Sequence, residues 1–541
     1  MCSKTSQQNQ LCNHMVINGA TTYKLISSSI EVSQSGGMKM EKRDKDFILS
    51  LESDKWLFYA DVLVDKAHVV MLKERGIIKK EEATAILNWL TKIEEEEFIE
   101  HELPSYEDLH TAIESVLIRE IGEEIGGRMH TGRSRNDEVA ACIRIVLRDE
   151  LLQLMKEMNG LRRVLIEKAA ENVDTIMPGY THLQHAQPTT FAHHYMAHAD
   201  ALARDFSRLM NAYERTNINP LGATAFASTG FPIDRTMTTK LLGFSSVLEN
   251  SMDAVSTRDF IIESLSCFSN LMTNLSRLAE EIILWSSAEF DFIRVPADYA
   301  TGSSIMPQKR NPDYVELVRA RASSVYGCLM SAVSICKALP YSYNRDLQEV
   351  TLHVLKGTKT TIASVSVMKN IVEGLELKKE EMEKKAHVGF TTATELADTI
   401  VRETGISFRT AHHIVSSLAS VIADEDLELL HEEEYEKAFL TEILQRIDDY
   451  AVEIIGKKPS EMGLTEKKVK EALNIQSNIR RRSVKGGPAK KEVLRMIERR
   501  RTDLEKDIKS RQAKEERVRR SLEELEREVK RKKRVITVIK T

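Results

Sequence analysis

The chain has 541 residues, 42% of them hydrophobic and 29% charged. That is room for roughly three or four domains and too much apolar character for disorder over most of its length. Glycine (23) and proline (11) are scarce against usual shares of about 7% and 5%, which excludes a turn-rich sandwich or propeller and favours long helices. The net charge of -5 is uneven: residues 489–541 hold 20 Lys and Arg against 11 Asp and Glu, a local +9, which leaves -14 on residues 1–488 and excludes nucleic acid as a partner of the main body.

Residues 1–40 are rich in Ser, Gln, Asn and Thr without apolar periodicity and are expected to be disordered. Helical spacing begins after about Asp46, with Leu57, Val62, Val69 and Leu72, then Ile86, Leu87 and Leu90. A polar loop follows, Gly126-Gly-Arg-Met-His-Thr-Gly-Arg-Ser-Arg-Asn-Asp137, in which Asn136 or Asp137 is placed to cap a helix running from about Asp137 to Asn159, before Gly160. Free N–H groups there, beside Arg128, Arg133 and Arg135, suit a carboxylate or a phosphate; a solvated basic loop is the bland alternative.

A second polar segment, Gly179-Tyr-Thr-His-Leu-Gln-His-Ala-Gln-Pro188, leads to His193, His194 and His198. The histidine density invites a metal reading, but no HExxH pattern and no nearby cysteine accompany it. An imidazole in a polar loop is better suited to proton transfer, because its unperturbed pKa lies near neutrality. The other histidines read as packing or polar residues.

Helices are expected near 190–215, 314–338 and 347–373. Between Gly243 and Pro296 there is neither Gly nor Pro, and Phe260, Ile261, Leu265, Phe268, Leu271, Leu275, Leu278 and Ile282 keep helical spacing. A single helix of about fifty residues would be roughly 75 Å long. An elongated bundle of such helices would bury its stripes against other subunits as well. The third polar segment, Thr301-Gly-Ser-Ser-Ile-Met-Pro-Gln-Lys-Arg-Asn-Pro-Asp313, interrupts this pattern and offers donors from Ser303, Ser304, Gln308, Lys309 and Asn311 to an anion. Its bland alternative is a surface linker.

A further helical region spans 377–475. From 489 onward a three/four lattice runs through Leu494, Ile497, Arg501, Leu504, Ile508, Arg511, Glu515, Val518, Leu522, Leu525 and Val529, fitting a coiled coil or one long docked helix. The expected organisation is a disordered extension (1–40), an N-terminal helical domain (41–134), a central helix bundle (135–376), a C-terminal helical domain (377–488) and a basic helical or coiled-coil tail (489–541). Six cysteines form no CxxC pair and read as free thiols. With no membrane-length apolar run and no secretory signal, a cytoplasmic protein with no membrane partner is expected.

Gly302-Ser-Ser-Ile-Met-Pro-Gln-Lys-Arg-Asn-Pro resembles the signature loop of the fumarase/aspartase superfamily of lyases. Within it, His130-Thr-Gly-Arg-Ser-Arg-Asn-Asp137, Gly179-Tyr-Thr-His-Leu-Gln and Tyr343-Asn-Arg-Asp-Leu-Gln-Glu349 resemble the argininosuccinate lyase family, as do Glu107-Asp-Leu-His-Thr-Ala-Ile-Glu114 and Asn250-Ser-Met-Asp-Ala254. The similarity runs from about Ser50 to Gly487. It implies an all-α, three-domain lyase fold with a central long-helix bundle, here with a C-terminal helical extension. It also implies a homotetramer with sites shared between subunits, and β-elimination of argininosuccinate to fumarate and arginine without metal or organic cofactor.

Position by position, the resemblance implies His182 and Ser303 as catalytic residues. It implies Ser50, Arg135, Asn136, Thr181, Tyr343 and Gln348 as substrate-binding residues, with Lys309 and Asn311 as the loop's anion contacts. Ser303 is favoured as base and His182 as acid, although the residues alone leave their order open. The chain departs from the family in lacking a Gly-Gly-Arg-Phe-type element near its start and in carrying Thr351 where many members have a substrate-contacting lysine. Other readings are another fumarate-releasing lyase of the superfamily, or a crystallin-like structural protein on the same scaffold. Because the tail lies beyond the resemblance, a chain ending at Pro488 is expected to stay folded and active.

Overall fold

In the computed structural model, helices dominate from the first described turn to the last, and the strands among the described residues form only four two-stranded pairings. The structure describes residues 47, 49–93, 95–422 and 433–530. The expected disorder of 1–40 lies outside them. From Ser50 onward the chain is one compact unit.

The helices that position the site are α1 (Phe58–Glu74), α2 (Lys80–Leu90), α3 (Leu109–Ile121), α4 (Arg135–Glu171), α5 (Phe191–Thr216), α6 (Asp259–Trp285), α7 (Asp313–Cys336) and α8 (Asp346–Gly374). Helices α4 to α8 pack side by side, α4 against α5 and α8, and α6 against α5, α7 and α8. Their facing stripes, with Leu147, Leu154, Phe268, Leu275 and Val365 fully buried, form one continuous apolar core with α1 and α3. Helices α9 (Lys379–His387), α10 (Ala393–Thr404), α11 (Phe408–Ala419), α12 (Glu433–Ile455) and α13 (Glu466–Leu473) follow. Of these, α10 to α13 enclose a separate core around Leu396, Ile400, Ile414, Ile443, Ile447 and Val469.

Two helix boundaries differ from expectation. Helix α4 does not stop at Gly160 but runs on to Glu171, 37 residues in all. Gly160 lies inside the helix, where a Cβ would meet only the Lys369 side chain of α8, at 3.0 Å; it does not mark an end. Conversely, the Gly- and Pro-free stretch 243–296 is not one fifty-residue helix: α6 has 27 residues, about 40 Å. Upstream, Asn250 Oδ1 accepts from Met252 and Asp253 N at 3.0 and 3.1 Å and caps a separate short helix, Ser251–Ser256. Downstream, Ser286 and Ser287 hydroxyls donate to the carbonyls of Ile283 and Leu284 and end α6. Short polar side chains supplied the breaks that Gly and Pro did not.

The tail is a docked helix, α14 (Lys490–Lys530), lying on α1, α4 and α5 of its own chain. Ile497, Leu504, Arg511, Val518 and Leu525, seven residues apart, are buried along one seam, and the four apolar ones each contribute roughly 1.5–3 kcal/mol if fully buried. Val518 packs so closely on the turn at Gly243 (φ +74°) that a Cβ there would meet its Cα at 3.1 Å. Basic tail residues meet acidic body residues: Lys490–Asp174 at 2.6 Å, Arg501–Glu167 at 3.0 Å, and Arg500 with Asp200. In the other direction Arg162 of α4, itself buried, holds Asp507 at 2.7 Å. Much of the tail's charge is therefore matched within the chain. Ile497, Leu504 and Leu525 of the seam belong to the main core, and this packing argues against the expectation that the chain folds without the tail.

Candidate active site

A cavity of ≈ 200 Å³ opens where Ser50, the turn before α3, the N-terminus of α4 and the segment entering α8 meet; Ser50, Arg135, Asn136, Tyr343 and Gln348 all line it. Five predicted binding residues from three distant stretches thus share one wall. Ser50 Oγ donates to Asp54 Oδ2 at 2.7 Å, and the same oxygen accepts the backbone N–H of Leu109 at 3.1 Å, fixing the first turn to α3. Burial nevertheless raises the Asp54 pKa. Arg135 reaches Asp108 at 3.5 Å. Asn136 Nδ2 donates to the Ala225 carbonyl at 3.0 Å. Burial pushes the Tyr343 phenol up, with Arg258 and Arg345 pulling the other way. Thr351 is buried in the same wall.

The loop carrying Arg135 and Asn136 is held from beneath. Ser134 is the actual cap of α4: its Oγ accepts from Asn136 N at 3.3 Å, while Asp137 Oδ1 accepts the Ser134 N–H at 3.0 Å. Asp137 Oδ2 also accepts from Gly222 and Thr224 N at 2.7 and 2.9 Å, so the expected capping residue acts as the reciprocal half of a capping box. Arg133 is not free for a ligand. It is buried and paired with Asp65 at 2.6 Å and Glu138 at 2.9 Å. Arg128 is turned to Glu82 at 3.2 Å. Of the three arginines expected to face an anion, Arg135 alone lines the cavity. Beside this cluster His110 Nδ1 meets Asp61 at 2.9 Å. Burial works against the imidazolium, but Asp61 and Glu138 outweigh it and push His110 up to about 10. Burial raises Asp65 to about 7 despite Arg133. The cluster is a set of buried charges whose partners come from α1, α3 and α4.

The second polar segment is a hairpin. Strand β1 (Ile176–Thr181) pairs with β2 (Gln184–Thr190) in a register that sets Thr181 opposite Gln184, leaving His182 and Leu183 as a two-residue turn. Both have positive φ, 57° and 59°, the geometry of a type I′ turn normally given to Asn-Gly. Two non-glycine residues held so cost roughly 1–3 kcal/mol each. The strain is spent on display: His182 is exposed and Leu183 is 66% exposed. At Gly179 a Cβ would lie 2.6 Å from the Gln187 carbonyl, so only glycine fits the bulge that aims the turn.

The remaining histidines of the segment are occupied. His185 bonds the Val388 carbonyl (2.8 Å) and Tyr180 (3.2 Å), and His193 bonds Thr189 (2.9 Å) and the Gly486 carbonyl (3.0 Å). His194 and His198 both donate from Nε2 to Glu281 Oε2 at 2.7 Å. These three side chains are a ligand-type set, as are Asp61, His110 and Cys142. In each, the donor atoms are already engaged with one another. His182 alone of the five makes no hydrogen bond among the described residues. It lines, with Thr181, an open cleft of ≈ 1010 Å³ that also touches Glu281 and Trp285.

The third segment is closed by a second hairpin, β3 (Thr301–Gly302) against β4 (Arg310–Asn311). Between them residues 303–309 form a loop in which Ser303 Oγ accepts from the backbone N–H groups of Ile305 (3.3 Å) and Met306 (3.0 Å). Ile305 stands 82% exposed at its tip, and Lys309 is exposed beside it. Ser303, Lys309 and Asn311 line neither the cavity nor the cleft, and no residue lines both. The structure thus gathers Ser50, Arg135, Asn136, Tyr343 and Gln348, and separately Thr181 with His182, and separately Ser303 with Lys309 and Asn311.

Reading the sequence missed Asp54, Asp108 and Arg258 as cavity residues. The first two lay four residues after Ser50 and inside a quoted motif, which was signal enough. Arg258 was hidden inside a stretch taken as uninterrupted helix.

Residues 37–327 match the family model described as Lyase, and residues 390–480 match Argininosuccinate lyase C-terminal. Among curated relatives, argininosuccinate lyase of Methanosarcina mazei is 53% identical over 84% of this chain and 89% of its own length, and that of Methanosarcina acetivorans 54% identical over the same shares. Among solved structures, a variant of EDDS lyase with bound fumarate superposes with a TM-score of 0.77 at 31% identity, covering 91% of this chain and 94% of its own.

Proposed function

The chain belongs to the argininosuccinate lyase family and is a carbon–nitrogen lyase, and from that premise we propose that it cleaves argininosuccinate reversibly to fumarate and L-arginine, the arginine-releasing step of arginine biosynthesis, in the cytoplasm. The observation that carries the reading is the cavity, which Ser50, Arg135, Asn136, Tyr343 and Gln348 share. It holds the arginine end of the substrate.

The elimination makes two electrostatic demands. Taking a proton from the carbon beside a carboxylate gives an aci-carboxylate carrying extra negative charge. Lys309, Asn311 and the backbone N–H groups of the 303–309 loop stabilise it, a kind of contribution worth about 2.7–4 kcal/mol per donor. The electron pair then forms the double bond of fumarate as the C–N bond breaks, and the departing guanidino nitrogen takes a proton. Ser303 is the base and His182 the acid. Two backbone N–H groups donating to Ser303 Oγ favour its anionic form. Proton transfer by positioned groups contributes typically 10²–10⁴ in rate.

The protein works as a homotetramer whose sites draw on more than one chain. Two observations support this. The three groups of site residues are separate within one chain, as described. On α7, Tyr314, Leu317, Tyr326, Met330 and Val333 are all exposed, with Leu317 at 51% and Met330 at 62%, and Tyr326, Met330 and Val333 share one side of the helix, exposed apolar surface of the kind that marks an interface. The test is to offer argininosuccinate, adenylosuccinate and malate separately at equal enzyme concentration and follow fumarate. Release from argininosuccinate alone is expected; release from another of the three, or from none, overturns the reading.

A further inference from the structure

Among the described residues three sets of side chains have the spacing of metal ligands, and they are not alike. Asp61, His110 and Cys142, and Asp61, Asp65 and Glu138, are wholly buried. Their cation is built in: Arg133 pairs with Asp65 at 2.6 Å and with Glu138 at 2.9 Å. The third set, His194, His198 and Glu281, has no such occupant. His194 and His198 lie one turn apart on one face of α5, and Glu281 comes to them from α6, which packs against α5. No lysine or arginine pairs with Glu281 among the described residues. All three side chains are half-buried, and His194 and Glu281 line the ≈ 1010 Å³ cleft, which gives an ion a way in.

The geometry is close to that of a loaded site. Both Nε2 atoms stand 2.7 Å from a single oxygen, Oε2 of Glu281, so three ligand-type atoms converge on one point. Bonds of about 2.0–2.2 Å to a tetrahedral Zn²⁺ would set those atoms about 3.4 Å apart, so each 2.7 Å contact has to open by only about 0.7 Å. Trp285 stands edge-on to His194, ring centres 5.0 Å apart, and supports that ring. Two imidazole nitrogens and one carboxylate suit Zn²⁺ and its transition-metal neighbours, whereas Mg²⁺ and Ca²⁺ prefer oxygen throughout. We propose that His194, His198 and Glu281 bind one Zn²⁺ per chain, with the fourth position open to the cleft. The ion displaces the Nε2 protons now shared with Glu281. Each proton moves to Nδ1 of its own ring or, where that nitrogen already carries one, to solvent. So bound, the ion staples α5 to α6.

The test titrates the metal-free, full-length chain with Zn²⁺ and with Mg²⁺ by calorimetry and records the visible spectrum with Co²⁺. Glu281→Gln, His198→Gln and His193→Gln are compared with the parent. His193 is the control, since its ring bonds Thr189 and the Gly486 carbonyl instead. The tightest Zn²⁺ should bind once per chain, at least about 100-fold more weakly in Glu281→Gln and His198→Gln, and within about threefold of the parent in His193→Gln. Co²⁺ in the parent should give the intense bands of four-coordination. Zn²⁺ should raise the Tm of the parent and leave that of Glu281→Gln unchanged. A parent that binds no Zn²⁺, or binds Mg²⁺ as tightly, overturns the proposal. So does affinity that survives in both ligand variants or falls equally in His193→Gln. Should the ligand variants not fold, the parent decides: a weak, six-coordinate Co²⁺ spectrum overturns the site.

Discussion

The cavity and the 303–309 loop are built on opposite principles. The cavity is anchored: Ser50 is tied through Asp54 to α3, Asn136 through a capping box to α4 and the 222–224 turn, and the charges beneath are paired and buried. The loop is exposed along nearly its whole length and held only at its base by β3 and β4. The His182 turn resembles the loop in exposure but is strained into place. The cavity proposed to recognise the substrate is thus preorganised within one chain. The groups assigned to proton transfer stand on surfaces, where they gain a dry, charged environment only when something covers them.

The sharpest way to break that contrast is Ser303→Ala. A half-buried hydroxyl in a surface loop, bonded only within that loop, contributes little to the fold, so thermal stability and calorimetric arginine binding should match the parent while fumarate release falls by about 10³ or more. Turnover within about tenfold, a change of 1.4 kcal/mol, would mean that Ser303 does not carry the proton.

Removing the tail tests the anchored side. A chain ending at Pro488 uncovers the seam that Ile497, Leu504, Val518 and Leu525 fill, a loss on the order of 5 kcal/mol or more. Thermal unfolding should drop sharply, with arginine binding weakened alongside. A truncated protein as stable as the parent would show that α14 merely lies on the body.

A smaller effect probes the charges under the cavity. His110 has a folded pKa of about 10 against an ordinary 6.5, so the folded state holds the extra proton between these values. Its contribution is therefore complete below about pH 6.5 and is lost as pH rises through about 10. In denaturant melts from pH 6 to 10, the parent should lose stability relative to His110→Asn as pH rises. Parallel curves would contradict the buried His110–Asp61 pair.

Much of this was legible in the residues. Regular apolar spacing gave α5, α7 and α8 to within a few residues, and the polar interruptions marked the segments that carry the candidate site. What was not legible depended on neighbours. Gly160 reads as a helix end until α8 is seen against it. Arg133 and Arg135 look alike in sequence, but Arg133 faces Asp65 and Glu138 while Arg135 faces the cavity. The His182–Leu183 strain has no sequence signal, since His-Leu is not a turn pair. The tail's lattice was plain, but whether it paired with another tail or with its own body depended on the groove that α4 and α5 make.

The claim at the centre of the account is that His182 and Ser303 serve one site from different chains. His182→Asn and Ser303→Ala proteins, each inactive alone, should be unfolded together, refolded as an equal mixture, and checked by mass for hybrid oligomers. Random assembly then gives roughly a quarter of the sites an intact histidine from one chain and an intact serine from another, so about that fraction of parental activity should return. Hybrids that form in good yield and remain inactive would contradict the account, because both residues would then have to come from the same chain.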